Sequence, residues 1–298
     1  MNSKNSPNTS SIRTKWYIQI PLRLMFGLLI VIAVIILTQD IQLFPRVFDR
    51  IFVSGQRDPK TLPAGVVAYN LSTQDNNLIE AWYLPGDPRG AFFGYTAFFF
   101  YGNGDSLDRF GTQAWLASMG FNTIVHSYRG YGYSTGWPSA EAIRSDVLLV
   151  WEKMKNQYDL DHKKVIVVGH SLGTGPATWL AHKIKPKSLT LYSTYKSLEQ
   201  VLQDSWFLRH LKKFLWNEFD NQEILSSDTE IADCIQMLHG RKDTIIAAHH
   251  SEEIFPMLPE AIKLRQLKVC EHCGHNDILG ESVSDFEAFQ RECLISGR

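Results

Sequence analysis

The residues best placed to do chemistry stand in Gly169-His170-Ser171-Leu172-Gly173. A serine with a glycine two residues away on each side, after an apolar run (VIVV, 165–168) and before a helical pattern, fits a nucleophile carried on a tight strand-to-helix turn. Gly169 and Gly173 leave room for the strained backbone, and the hydroxyl stands at the positive end of the following helix. A serine hydroxyl is a weak nucleophile at neutral pH. It needs an imidazole to take its proton and a carboxylate to fix the imidazole tautomer. Two later segments offer them. IQML (235–238) runs into His239-Gly240-Arg241-Lys242-Asp243, and LKVC (267–270) runs into Glu271-His272-Cys273-Gly274-His275-Asn276-Asp277. We read Asp243 as the acid and His275 as the base, each just beyond a strand end, where a sheet delivers functional groups. Asp277 is the rival acid, His272 and His239 are rival bases, and Asp243 has the alternative of capping a helix over TIIAAHHSEEIF.

Acyl chemistry at such a serine needs two backbone N–H groups aimed at the developing oxyanion. The residue after the nucleophile, Leu172, supplies one. The glycine-bracketed segment Tyr101-Gly102-Asn103-Gly104-Asp105 can approach a substrate closely, and the second donor is expected at Asn103 or a residue beside it. Nothing here calls for a cofactor. Cys270-x-x-Cys273 with nearby histidines admits zinc or a labile disulfide, but one C-x-x-C without a second pair is a weak metal signal, and no metal is expected. The four cysteines of the chain are too few for a disulfide framework.

The elements that must position these residues alternate. Strands are expected at 78–84, 96–101, 122–128, 165–168, 188–192, 235–238 and 267–270, with helices over 139–158, from about 172, and over 282–293. TAFFFY (96–101) is almost wholly apolar, as a strand buried on both faces must be. The pattern is that of an α/β fold, a mostly parallel sheet with helices on both faces and an antiparallel start. Residues 195–230 interrupt the alternation. Trp206, Phe207, Leu211, Phe214, Leu215 and Trp216 give this excursion an apolar face, suited either to covering a site for acyl chains or to forming its own core. Arg129-Gly130-Tyr131-Gly132 reads as loop architecture.

Hydrophobic residues make up 44% of the 298-residue chain, which excludes wholesale disorder. A net charge of −1 lacks the basic excess of a nucleic-acid binder. Residues 1–24 nevertheless carry Lys4, Arg13, Lys15 and Arg23 and no acid, directly before 14 residues without a polar side chain (24–37). Residues 1–17 are expected to be a disordered basic terminus and 18–38 an uncleaved transmembrane signal anchor, with Trp16 and Tyr17 at the headgroup level. A cleaved signal peptide would need a small-residue site, and Thr38-Gln39-Asp40-Ile41 has none. The positive-inside rule then puts residues 39–298 on the non-cytoplasmic side of a membrane the protein crosses once. Residues 39–62 read as a short amphipathic segment lying on the membrane or on the protein itself, and 63–298 as the main domain.

The stretches YGNGD (101–105), SYRGYGYSTGWPS (127–139), GHSLG (169–173), HGRKD (239–243) and GHND (274–277) resemble the α/β-hydrolase superfamily, and more narrowly its membrane-anchored bud-emergence-type subgroup, which includes lipid hydrolases and protein depalmitoylases. The resemblance covers about three quarters of the chain. It implies the α/β-hydrolase fold, with 195–230 as a cap, and acyl transfer to Ser171 followed by hydrolysis by water that His275 activates. The expected substrate is a lipid-like acyl ester or thioester. Members of the family commonly carry His before the Gly-Asn of the oxyanion loop, where Tyr101 stands here. Alternatives in the same fold are a peptidase-like or small-ester hydrolase and a non-catalytic membrane-tethered binding module.

Overall fold

Apolar strand runs bounded by glycines and turns build a single eight-stranded sheet in the computed structural model, which describes residues 62–105, 107, 110–204 and 219–295. The strands are β1 (Val67–Ser72), β2 (Leu78–Leu84), β3 (Thr96–Phe100), β4 (Asn122–His126), β5 (Val165–His170), β6 (Ser188–Tyr192), β7 (Cys234–Gly240) and β8 (Leu264–Cys270), in the spatial order β1-β2-β4-β3-β5-β6-β7-β8. β2 pairs antiparallel with both β1 and β4, and every pair from β4 to β8 is parallel. The expected antiparallel start is thus present. Every residue of β3, β5, β6 and β7 is buried, so both faces of the sheet's centre are covered.

The helices are α1 (Gly111–Ser118), α2 (Ala140–Tyr158), α3 (Thr174–Ile184), α4 (Leu198–Asp204), α5 (Asn221–Ser227), α6 (His249–Ile254), α7 (Ile278–Glu281) and α8 (Val283–Leu294). α2 starts where the sequence placed it, because the Ser139 side chain accepts the Ala142 N–H, and it buries Ile143, Val147, Val150, Trp151 and Met154 along one stripe. The elements that were not expected include β1, a mostly exposed edge strand without a buried run, α1, a two-turn helix with no side-chain cap, and the short helices α4, α5 and α7. Within the excursion at 195–230, Ser197, directly before α4, bridges antiparallel to Asp220, directly before α5. Its aromatic residues from Trp206 to Trp216 lie outside the described residues, as do residues 1–61 with the expected anchor. Among the described residues no helix is long and apolar enough to cross a membrane.

Cys234 at the start of β7 bonds to Cys293 on α8, and Cys270 bonds to Cys273, so all four are paired. The first bridge ties the closing helix to the sheet across 59 residues, a separation that carries no local signature.

At the end of β4, His126 is 1% exposed and neither of its ring nitrogens has a hydrogen-bond partner among the described residues. It packs edge-on against Phe98, Phe100 and Tyr128. Burial pushes its pKa down to about 3. Between that value and the ordinary imidazole range the unfolded chain binds a proton that the folded chain refuses, so stability falls as pH drops below about 6.5. At pH 5 this one group is expected to remove ~2 kcal/mol of unfolding free energy relative to neutral pH. His126→Phe should flatten the slope of stability against pH over this range in urea unfolding. An unchanged slope would show that the imidazole is not held neutral.

Candidate active site

Strands β3, β5, β7 and β8 run parallel, so the loops at their C-terminal ends open on one rim of the sheet. Ser171 follows β5 in a left-handed conformation, φ +55°, at the head of a single 3₁₀ turn (Ser171–Gly173) that leads into α3. The flanking glycines are required by space. A Cβ on Gly169 would stand 2.7 Å from Ala177 Cβ, and one on Gly173 would stand 2.3 Å from the Phe100 carbonyl oxygen. The turn is held from behind as well. Thr174 Oγ1 donates to the Ser171 carbonyl at 2.7 Å and Tyr195 Oη to the Leu172 carbonyl at 3.3 Å. Asn221, fully buried at the start of α5, donates to Thr174 Oγ1 and to the Tyr195 carbonyl, tying the end of the excursion to the turn.

Ser171, Asp243 and His275 meet. Ser171 Oγ donates to His275 Nε2 at 2.8 Å, and His275 Nδ1 donates to Asp243 Oδ2 at 2.6 Å. Because a carboxylate can only accept, the proton of the neutral ring sits on Nδ1 and leaves Nε2 free to take one from the serine. Asp243 Oδ1 accepts the N–H groups of Ile245 and Ile246 at 2.9 and 2.8 Å. The capping alternative for Asp243 is therefore met locally by one oxygen while the other meets the imidazole, although α6 itself begins only at His249. Burial opposes ionisation of this carboxyl, but contacts from His239, His275 and the Ile246 N–H outweigh it and hold it well below the usual carboxylate range.

The rivals are placed elsewhere. Asp277 Oδ1 accepts the Gly274 N–H at 2.6 Å and shapes the loop, and His272 lies exposed, 3.5 Å from Glu281. His239 is fully buried; its Nε2 donates to the Ile246 carbonyl at 2.8 Å and its Nδ1 accepts from Ser251 Oγ, so it props the Asp243 loop. Lys242 N–H donates to the Cys273 carbonyl and Arg241 N–H to the Cys270 carbonyl, which joins the acid loop to the histidine loop. The Arg241 side chain pairs with Glu252 and Glu271 at the surface. With Cys270 and Cys273 bonded to each other, their thiolates are not available to zinc.

Sequence reasoning missed how the oxyanion-loop candidate is held. Gly102 lies against Ser171, since a Cβ there would be 3.1 Å from Ser171 Cβ. Tyr131 Oη donates to Asn103 Oδ1 at 2.5 Å, Tyr128 Oη to the Tyr101 carbonyl at 2.9 Å, and Tyr101 Oη accepts the Tyr128 N–H at 3.2 Å. Tyr101, in the position where histidine was the family expectation, thus stacks the 101–105 loop onto the 128–131 loop. Arg129 in that second loop is buried in a two-pronged ion pair with Asp146 of α2, at 2.7 and 2.6 Å. His170 was passed over within its own motif. Its Nε2 donates to the His275 carbonyl at 3.1 Å, and burial takes its pKa down to about 4. A buried histidine whose ring touches the next loop has no signature in a single sequence.

A family model for the alpha/beta hydrolase fold matches residues 98–221. An uncharacterised protein of Mycobacterium tuberculosis is 29% identical over 217 residues, which cover 72% of this chain and 74% of that protein. The human alpha/beta hydrolase domain-containing protein 17B is 26% identical over 228 residues, 75% of each chain. The structure of an esterase from Pyrococcus furiosus aligns with a TM-score of 0.62 at 17% identity, over 81% of this chain and 95% of that one. The chain has the α/β-hydrolase fold.

Proposed function

We propose that the protein is a serine hydrolase that cleaves acyl esters or thioesters through an acyl-enzyme on Ser171. The observation that carries this is the continuous hydrogen-bonded line from Ser171 Oγ through the His275 ring to Asp243 Oδ2, at 2.8 and 2.6 Å. Ser171 Oγ attacks the substrate carbonyl carbon as its proton passes to His275 Nε2. The N–H groups of Leu172 and Asn103 receive the oxyanion. Its collapse expels the alcohol or thiol, which takes the proton from His275. Water then repeats the attack on the acyl-enzyme with His275 as base, and the carboxylic acid leaves with Ser171 restored. Asp243, held ionised, steadies the imidazolium that forms at each step. Ester hydrolysis is also what the Pyrococcus furiosus relative is named for.

The apolar run at 24–37 behind a basic end further supports residues 18–38 as a membrane anchor, as in the bud-emergence-type subgroup, and an anchor would hold the site where lipid-like esters concentrate. One experiment reads both parts. Full-length protein and its Ser171→Ala variant, expressed in cells, are expected to stay in the pellet after alkaline carbonate extraction, and only the wild type should hydrolyse p-nitrophenyl esters, with at least a 10³-fold difference in kcat, on the order of what loss of a triad member removes. Equal turnover by the two would remove Ser171 from the mechanism, and release of both into the supernatant would remove the anchor.

A further inference from the structure

The loop that carries His275 is held down by a cystine. Between Cys270 at the end of β8 and Ile278 at the start of α7 the sequence offers no aliphatic or aromatic side chain to anchor the loop. Glu271, His272, Asn276 and Asp277 are exposed, and apart from the His275 ring in the site the buried side chain is that of Cys273. Its sulfur is bonded to Cys270, so one covalent bridge fixes the turn that leads into the base. The same turn docks on the acid loop. The Cys270 and Cys273 carbonyls accept the Arg241 and Lys242 N–H groups at 2.9 Å each, and a Cβ on Gly240 would stand 2.5 Å from the Cys273 and Gly274 carbonyl oxygens. These contacts need the carbonyls to point where the bridged turn points them.

The two bridges differ in access. Cys234 and Cys293 are 3% and 6% exposed. Cys270 is partly exposed, and its Sγ lies 3.5 Å from Nδ1 of the exposed His272. An accessible cystine is the labile kind, and an imidazolium beside Cys270 stabilises the thiolate that its opening releases. We propose that Cys270–Cys273 is a thiol–disulfide exchange site that takes a dithiol reductant, and that its opening frees the His275 loop and lowers hydrolysis. One thiolate of the dithiol attacks Cys270 Sγ, and the Cys270–Cys273 bond breaks with Cys273 leaving as a thiolate that takes up a proton. The second thiolate of the dithiol then attacks the reductant sulfur of the mixed disulfide and expels Cys270, which is protonated in turn. Two electrons pass to the protein, and the reductant ends as a disulfide. This control rests on the reading of His275 as the base and adds to it a dependence on redox state.

The test treats the folded full-length protein with dithiothreitol and then with its oxidised form. Alkylation with peptide mass spectrometry reads which bridge has opened. Turnover of p-nitrophenyl butyrate reads the site, and amide hydrogen exchange of the peptide that holds residues 271–277 reads the loop. Cys270–Cys273 is expected to open at lower dithiothreitol than Cys234–Cys293. As it opens, kcat should fall at least about tenfold with KM little changed, because a misplaced base costs transition-state stabilisation. Exchange in the loop should rise, and reoxidation should reverse both. The double change Cys270→Ser, Cys273→Ser is expected to hold the low kcat in either buffer. Should it not fold, Cys234→Ala with Cys293→Ala, which keeps the exchange site, should still lose and regain turnover. An opened Cys270–Cys273 bridge with kcat and exchange unchanged overturns the proposal. So does a loss of kcat that follows Cys234–Cys293 instead, or a Cys270–Cys273 double variant as active as the oxidised wild type. Fluorophosphonate labelling of the oxidised protein keeps the two readings apart. A labelled Ser171 with turnover indifferent to reduction leaves the nucleophile standing without the switch, and in an unlabelled protein the exchange measurement still decides whether the bridge holds the loop.

Discussion

Asp243→Asn is expected to lower kcat for ester hydrolysis by about 10⁴-fold while leaving the fold in place. Asp243 Oδ1 accepts two backbone N–H groups, and an asparagine oxygen can take over that task. The amide nitrogen then faces His275 Nδ1, where Asp243 Oδ2 now accepts at 2.6 Å. A donor at that place forces Nδ1 to accept, which moves the ring proton to Nε2. The ring can then no longer take the proton of Ser171 Oγ, 2.8 Å away. The developing imidazolium also loses its counter-charge. Steady-state kinetics together with thermal unfolding separate this from a folding defect. A variant that unfolds like the wild type and keeps a tenth of its kcat would show that Asp243 does not set the tautomer.

The second large effect lies in stability. Arg129 holds Asp146 by two parallel hydrogen bonds at 2.7 and 2.6 Å, and the Asp146 side chain is 1% exposed. Arg129 also reaches Asp75 at 2.7 Å. Burial raises the Asp146 pKa, and the guanidinium offsets that rise only in part. Arg129→Leu strands the carboxylate without its partner and is expected to cost about 3–5 kcal/mol in urea unfolding. The double change Arg129→Leu, Asp146→Leu should recover most of that loss, because it removes the buried charge as well. A single change that costs under about 1 kcal/mol would mean that solvent reaches the pair. Tyr128 and Tyr131 in the same loop hold the 101–105 segment, so Arg129→Leu is expected to lower kcat as well.

The sheet was legible because its central strands are short apolar runs that end in glycine or polar turns. β2 and β6 fall at the bounds the residues indicated, and α2 differs only in that Ser139 is its cap. β1 was not legible, since an edge strand with most of its residues in solvent and none buried shows neither a buried run nor strict alternation. Ser171, Asp243 and His275 could be placed together because a parallel sheet sends all its post-strand loops to one rim. The supports of those loops could not. His170, His239, Asn221 and the tyrosines at 101, 128 and 131 act through contacts between distant segments, and nothing in their local spacing announces those contacts. The Cys234–Cys293 bridge was hidden for the same reason.

The measurement that reaches the centre of this account is peptide-level mass spectrometry of the folded wild type after treatment with a fluorophosphonate. One adduct per chain is expected, on the peptide that carries Ser171, and it should be absent when Ser171→Ala or His275→Ala is treated alike. A folded, unlabelled wild type, or an adduct on another serine that persists in Ser171→Ala, would contradict it.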